Sequence, residues 1–326
     1  MPYLTMHWWL LLAALAVTGA RAQESWREAR TYAGLVPAAP QVLAGGGVHC
    51  ARVGMAGATL NLGTEAVYLL PVAPDQAAAL IRDVADNPAE VALPLAKPVA
   101  ADEFKSLTVT DASLKTAKGL NLSAGEKTTF GAAGRGGDPP QFNAVWRQLL
   151  LTRAAAFQTG GLLPAAAYEL GGGALFQPAP ELVGLLKQRA PVLRRFVCVM
   201  DEVFTGQPGA NQPAVHYWAD EKVQGNQNFA LGAVHALKTA DGWQLADLTY
   251  YSASSYYLSL TLYELWPVAV AGRAQTYVWR GDYVISPSIG HLKGIERMAA
   301  GNIMLLEVKG AIRAQIKRCA TPPPRY

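Results

Sequence analysis

Two charged residues near the end of the chain have a spacing that could serve ligand chemistry. Arg280 and Asp282 are separated by one residue in a strand-like segment, residues 276–285. Because side chains alternate along a strand, both should point to the same face of a sheet. There the pair could orient a polar ligand group or tune an acid–base step. An internal ion pair or a solvated face is the structural alternative.

Residues 250–279 are dense in Tyr and Trp, whose rings combine large apolar surfaces with polar tips. Such rings could line a pocket for a flat or lipid-like ligand, although Tyr and Trp also form strands readily and pack across them. Glu296, on a predicted C-terminal helix, could reach the mouth of the same cavity. With the charged pair, the candidate ligand-binding residues are Tyr250, Tyr256, Tyr263, Trp266, Trp279, Arg280, Asp282 and Glu296.

Metal and nucleophile chemistry have little support in the sequence. His216 and His235 lie on separate strand-like segments and could meet in space, but no two histidines have the spacing of metal ligands on one element. Residues 125–128 lack the spacing of a phosphate-binding loop, and no serine stands in a nucleophile-elbow pattern. We therefore predict no metal and no cofactor, and the catalytic residues and the question of enzymatic activity stay open.

The N-terminus predicts export. Residues 8–17 are ten consecutive apolar residues, fewer than the roughly 20 needed to cross a bilayer. Alanines on both sides of Arg21 precede Gln23, as at a signal-peptidase cleavage site. We expect a signal peptide at residues 1–22, a periplasmic or secreted mature protein, and no stable membrane insertion after cleavage. An N-terminal anchor that stays attached is the alternative.

Composition excludes some partners and leaves the disulfide question open. The formal net charge is +4, and one of the arginines that contribute to it lies in the predicted signal peptide. Such a mild charge, with no clustered basic face, argues against nucleic acid. An apolar fraction of 51% with 16% charged residues is typical of a globular protein. Export permits a disulfide, and the sequence is consistent both with a Cys50–Cys319 pair and with three free thiols, Cys198 being buried in the apolar run 196–200.

The order of elements predicts one domain. Residues 66–72 indicate a strand and 74–84 a helix, the middle of the chain is mostly helical, and five strand-like segments follow between 213 and 285. Residues 289–318 contain no proline and predict a long amphipathic helix. Its expected buried stripe consists of Leu292, Ile295, Ala299, Ile303, Leu306 and Gly310, widened by Met298, Leu305 and Ile312.

The predicted organisation is a signal peptide, a poorly ordered lead-in at 23–60, one domain at 61–318 and a tail at 319–326. The domain carries a helical insertion at 141–190. Residues 111–140 are rich in Gly, Ser, Thr, Lys and Asp and are expected to form a long loop or flap.

Residues 66–84, the strands within 213–285 and the closing helix at 289–318 resemble the helix-grip fold of START-like and polyketide-cyclase-like proteins. Residues 250–297 also resemble a group of exported bacterial proteins with no assigned function. The first resemblance implies an α+β fold in which a curved antiparallel sheet grips a long C-terminal helix, here with an additional helical segment in the middle. It also implies binding of lipids, sterols or other apolar molecules, and some such proteins are cyclases or hydrolases.

A helix that lies on a bent sheet leaves space that either fills with side chains or becomes a ligand cavity. The leading hypothesis is an exported soluble protein that binds an apolar or amphipathic, lipid-like small molecule between sheet and helix. The alternatives are an acid–base enzyme, cyclase- or hydrolase-like, on the same fold, and an envelope protein-interaction module without a ligand.

Overall fold

A computed structural model describes residues 24–55, 60–84, 91–134, 139–170, 173–207, 212–223 and 225–320. The predicted signal peptide and residues 321–326 of the predicted tail lie outside these ranges. The strands within them are β1 (Val48–Arg52), β2 (Asn61–Leu70), β3 (Val91–Leu95), β4 (Tyr168–Glu169), β5 (Leu175–Phe176), β6 (Val215–Val223), β7 (Asn226–Thr239), β8 (Gly242–Ser252), β9 (Leu258–Val270) and β10 (Arg273–Ile285).

Nine α-helices accompany the strands in the described part of the chain. They are α1 (Pro40–Leu43), α2 (Pro74–Arg82), α3 (Ala124–Gly134), α4 (Pro139–Gly160), α5 (Pro178–Gln188), α6 (Ala190–Arg195), α7 (Val197–Thr205), α8 (Pro287–Gly290) and α9 (Gly294–Ala320). Short 3-10 helices cover Ser25–Thr31, Ala101–Phe104 and Ala112–Lys115.

Eight strands form one antiparallel sheet in the order β1-β2-β10-β9-β8-β7-β6-β3, and β4 and β5 form a separate pair. Strands β6 to β10 are a meander of sequential neighbours. The turn between β9 and β10 shows why these hairpins are tight, since Ala271 and Gly272 both have positive φ, at 50° and 75°. That conformation matches the right-handed twist of the two strands that it joins. The predicted α+β class, an antiparallel sheet with a long C-terminal helix packed on it and a helical middle, is confirmed.

The two faces of the sheet have separate cores. We call the first the helical face, because the apolar sides of α4, α5, α6 and α7 pack on it, with Trp146, Leu182 and Val199 among the buried residues. We call the second the C-terminal face, because α9 packs there against β1 and β2. Helix α2 also lies on the C-terminal face and packs against β7, β8, β9 and β10.

Residues 25–52, predicted as a poorly ordered lead-in, are part of the packed domain. They form the first 3-10 helix, α1 and the edge strand β1, and Trp26 and Leu43 are buried. The predicted flap at 111–140 contains a 3-10 helix and α3 in its described part. Asp111 starts the 3-10 helix because its carboxylate accepts the backbone N–H of Ser113 at 2.8 Å.

Helix α9 packs with a different side from the one that the sequence predicted. Its sheet-facing residues are Gly301, Val308, Ile312 and Gln315. Ile312, which widened the predicted stripe, does face the sheet, but Ile295 and Leu306 are 79% and 69% exposed, so the predicted central stripe was wrong. The helix carries apolar residues on two sides. It packs with the side that allows the closer approach to the sheet. A Cβ on Gly301 would lie 2.8 Å from the Cδ of Arg52, so a glycine lets the helix approach β1 closely.

Candidate functional site

Three of the predicted site residues lie in the core of the helical face. Tyr250 stacks on Phe157 with 3.8 Å between ring centroids, and Trp279 meets Tyr32 edge-on at 5.0 Å. Trp266 is also buried on this face. Because Trp279 and Arg280 are adjacent in β10, their side chains point to opposite faces. These three aromatic residues therefore do not share a surface with the charged pair.

Arg280 and Asp282 lie on the C-terminal face, side by side as the alternation predicted. The guanidinium donates to the Asp282 carboxylate through Nε at 2.9 Å and through Nη2 at 2.6 Å. The same guanidinium lies 5.3 Å from the ring centroid of Tyr263, a cation–π distance. The ion pair that the sequence left as an alternative is therefore present, and it lies against an aromatic wall.

The sheet adds polar residues to this pair that sequence reasoning missed. In the strand register Asp247 is opposite Thr261, and Thr261 is opposite Asp282. The Thr261 hydroxyl donates to Asp282 at 3.1 Å. The Tyr217 hydroxyl donates to Asp247 at 2.9 Å. The missed signal was the alternation of Asp247 with Thr249 along a predicted strand, the same pattern that singled out Arg280 and Asp282.

Gly232 makes the contact between Tyr217 and Asp247 possible. It lies between their strands on the same face, opposite Tyr217 on one side and Thr249 on the other. A Cβ at Gly232 would lie 2.2 Å from the Tyr217 ring. The ring therefore lies flat across β7 and brings its hydroxyl to Asp247.

Together these residues form a surface that we call the polar trough. Several of them are half-buried, between the sheet centre and solvent, while Tyr217, Tyr263 and Asp282 are nearly buried at its base. Val215 lies in the same cross-strand row as Asp247, and Val284 lies in the same row as Thr249. Both add half-buried apolar surface to the trough. The trough consists of Tyr217, Asp247, Thr249, Ser259, Thr261, Tyr263, Arg280 and Asp282.

Burial and neighbouring charges set the protonation states of the trough residues. Burial raises the pKa of Asp247 to about 6; Asp282 adds to the rise, while the Tyr217 hydrogen bond and Arg280 oppose it. Burial lowers the pKa of Arg280, but its neighbours, led by the Asp282 carboxylate, together raise it by more. The guanidinium therefore stays charged. Burial also raises the pKa of Tyr217 and Tyr263, which keeps both phenols protonated. The trough thus offers one fixed cation, hydroxyl donors and a carboxyl that titrates near pH 6.

The remaining two predicted residues are not among those that form the trough. The Tyr256 hydroxyl donates to Glu221 at 2.9 Å, and Tyr256 is close enough to Tyr217 to contribute to the raised pKa of that residue. Glu296 is exposed in the first turn of α9. Cys50, Cys198 and Cys319 are free in the structure, and Cys198 is exposed on α7 and not buried as the sequence indicated.

His216 and His235 meet on the helical face beside a small cavity. In the described part of the chain, no group of three or more His, Cys, Asp or Glu residues could hold a metal ion. Among the described helices, none is long and apolar enough to cross a membrane. The chain matches no protein-family model, and comparison with curated proteins and with solved structures found no similar protein.

Proposed function

We propose that this protein binds a small amphipathic molecule in the polar trough. The observation that carries the proposal is Asp247, a half-buried carboxylate with a pKa raised to about 6 on a surface that neighbouring side chains leave partly open. A carboxylate in such a position costs folding free energy above pH 6, and sites that reduce stability in this way are enriched in functional residues.

The chemistry of the trough indicates how the ligand would lie. Its polar group would meet Asp247 and the Tyr217 hydroxyl, with Arg280 supplying positive charge nearby. Its apolar part would lie on Val284 and the Tyr263 ring. Because the lining is mostly polar, an amphipathic ligand fits better than a purely apolar one.

We further propose that the chain is exported and related to START-like helix-grip proteins. The ten-residue apolar run and the alanines before Gln23 support export. The antiparallel sheet with a long C-terminal helix supports the relationship to the helix-grip fold. N-terminal sequencing of protein from the periplasm or medium should give Gln23 as the first residue. A chain that begins at Met1 and stays with the membrane would contradict export.

Native mass spectrometry of protein purified from the periplasm of its own cells tests the binding function. We expect an additional retained mass in the size range of a lipid or a similar amphipathic molecule, which denaturation releases. A protein with no added mass, but with a tightly bound protein partner, would instead support the envelope interaction module and contradict our proposal.

Two matched variants place the ligand on the sheet. Tyr217→Phe removes a hydroxyl from the trough, and Tyr250→Phe removes a hydroxyl from the helical face. Loss of one hydrogen bond to a ligand group should weaken retention about tenfold for Tyr217→Phe. The Tyr250→Phe protein should retain the ligand like the wild type. Equal retention by all three proteins would exclude the trough.

An acid–base enzyme on the same surface is the second candidate. The observation that favours it is again the pKa of Asp247, because a carboxyl that titrates near pH 6 can both give and take a proton at physiological pH. In that case the retained molecule would be converted on incubation, and Asp247→Asn would stop the conversion without releasing the molecule. A molecule that stays chemically unchanged would support binding alone.

A further inference from the structure

A second cluster of polar residues lies on the helical face, on the other side of the sheet from the trough. His216 on β6 and His235 on β7 project from neighbouring strands, and both rings meet Phe157 edge-on, at 6.0 and 6.3 Å between centroids. They line a small cavity together with Lys97, Gln158 and Glu202. His216 and His235 are only 3% and 4% exposed, so their ring nitrogens are inside the protein.

The imidazoles have unused hydrogen-bonding capacity. Neither ring nitrogen of His216 has a hydrogen-bond partner, and Nε2 of His235 has none. The neighbouring amide of Gln158 is already occupied, since it accepts from the backbone of Val99 at 2.9 Å and donates to that of Ala96 at 2.8 Å. Buried polar atoms without partners are rare in folded proteins and indicate that something else fills the site.

The charges around the cavity indicate what that occupant is. Glu202 on α7 lies 3.7 Å from Nδ1 of His235 and leaves Nε2 of that ring to the cavity. The exposed Lys97 lies at the rim and adds a positive charge. Burial, then His235 and Lys97, lower the pKa of His216 to about 4, so its ring is neutral at pH 7 and has one N–H to donate. The cavity therefore presents imidazole and ammonium donors with one carboxylate behind them.

Other occupants fit these groups less well. A metal cation would be repelled by Lys97, and His216, His235 and Glu202 do not form a group that could hold a metal ion among the described residues. An apolar molecule would leave three ring nitrogens without partners, at a cost of about 1–3 kcal/mol each. An oxyanion, in contrast, accepts from all three donor groups, and its planar carboxylate form suits a cavity walled by Phe157.

We propose that this cavity binds a small carboxylate, held by N–H groups of His216 and His235 and by the ammonium group of Lys97. In this arrangement Nε2 of His235 donates to the carboxylate, while Glu202 lies at Nδ1 of the same ring. His216 is neutral and donates through one ring N–H, and Lys97 at the rim supplies the positive charge.

Titration with acetate, followed by ¹⁵N chemical shifts of the histidine rings, tests the proposal. A ligand of four heavy atoms can reach a dissociation constant of about 1 mM, so acetate up to about 20 mM should saturate the site. We expect saturable shifts at His216 and His235 and unchanged shifts at the exposed His291. Shifts that grow linearly, or none at all, would mean that water alone fills the cavity and would overturn the proposal.

Two lysine variants make the test independent of any folding defect. Lys97 and Lys222 are both exposed, so methionine at either position should leave the fold intact. Lys97→Met should weaken acetate binding about tenfold, the usual effect of losing a charged hydrogen bond. Lys222→Met should bind like the wild type. Equal affinities in the two variants, or Zn²⁺ binding to the same rings more tightly than acetate, would overturn the proposal.

Discussion

Glu65 and Glu264 on the helical face are held by arginines, whereas Asp247 on the C-terminal face is not. On the helical face, Glu65 and Glu264 are fully paired, Glu65 with Arg189 and Glu264 with Arg195 through Nε at 2.8 Å. The Tyr32 hydroxyl donates to Glu264 as well, at 2.7 Å. Arg189 lies in the turn between α5 and α6, and Arg195 is the last residue of α6. On the C-terminal face, Asp247 is half-buried and has a tyrosine hydroxyl, but no arginine, as its hydrogen-bond partner.

This difference separates charges that hold the fold together from charges that are available to a ligand. A buried carboxylate that is paired with an arginine fixes a helix to the sheet and has little left to offer. A half-buried carboxylate with a raised pKa keeps unused capacity toward solvent. Glu65 and Glu264 thus hold helices on the helical face, whereas Asp247 on the other face remains available to a ligand.

Removal of a structural arginine should give the largest effect. Arg189→Ala leaves Glu65, which has no exposed surface, as an unpaired buried charge. We expect a loss of about 3–5 kcal/mol in the free energy of unfolding, measured by urea denaturation. Arg194→Ala, at an exposed position close by in the chain, is the control and should change stability by less than about 0.5 kcal/mol. Similar losses in both variants would mean that Glu65 does not need its partner.

The observed side of α9 can be tested by two truncations on one helix. Ile312 faces the sheet with no exposed surface, and Leu306 is 69% exposed. Ile312→Ala should lower the free energy of unfolding by about 2–4 kcal/mol because it leaves a cavity in the core of the C-terminal face. Leu306→Ala should change it by less than about 0.5 kcal/mol. The reverse order would mean that α9 packs against the sheet with the side that carries Leu306.

Asp247 should make stability depend on pH in the opposite sense to a paired carboxylate. Its folded pKa of about 6 lies above its ordinary value of 3.8, so the native state binds the proton more tightly. The contribution of this group to the free energy of unfolding is therefore greatest below pH 4. It falls as the pH rises through 6, by up to about 3 kcal/mol. Asp247→Asn should be more stable than the wild type at pH 8 and equally stable at pH 4. An unchanged difference across this range would exclude the raised pKa.

Gly232→Ala should give the smallest loss of stability and a selective loss of binding. The added Cβ would meet the Tyr217 ring, so the ring must move and its hydroxyl leaves Asp247. We expect a cost of about 1–3 kcal/mol in unfolding free energy. Loss of ligand retention should accompany it, by about as much as in Tyr217→Phe. Gly184→Ala, where the new Cβ meets nothing within 4 Å, is the control.

The sequence predicted the helices and strands more accurately than it predicted the tertiary contacts between them. The meander, the helical middle and the long last helix follow from local periodicity, and all three are present. The side of α9 could not be predicted, because Gly301 and Gln315 face the sheet while more apolar residues face solvent. Asp247 and Tyr217 were missed because their contact crosses β7, and only the strand register brings together residues so far apart in the chain.

The most direct test of the trough is the titration of Asp247 itself. Carboxyl ¹³C shifts of aspartate-labelled protein, followed between pH 3 and 8 and assigned with Asp247→Asn, report the pKa of this one group. We expect a midpoint near pH 6 in the free protein, which shifts when the trough is occupied. A midpoint near the ordinary value of 3.8, unchanged by the retained molecule, would show that Asp247 is an ordinary solvated carboxylate and would contradict a binding function at this surface.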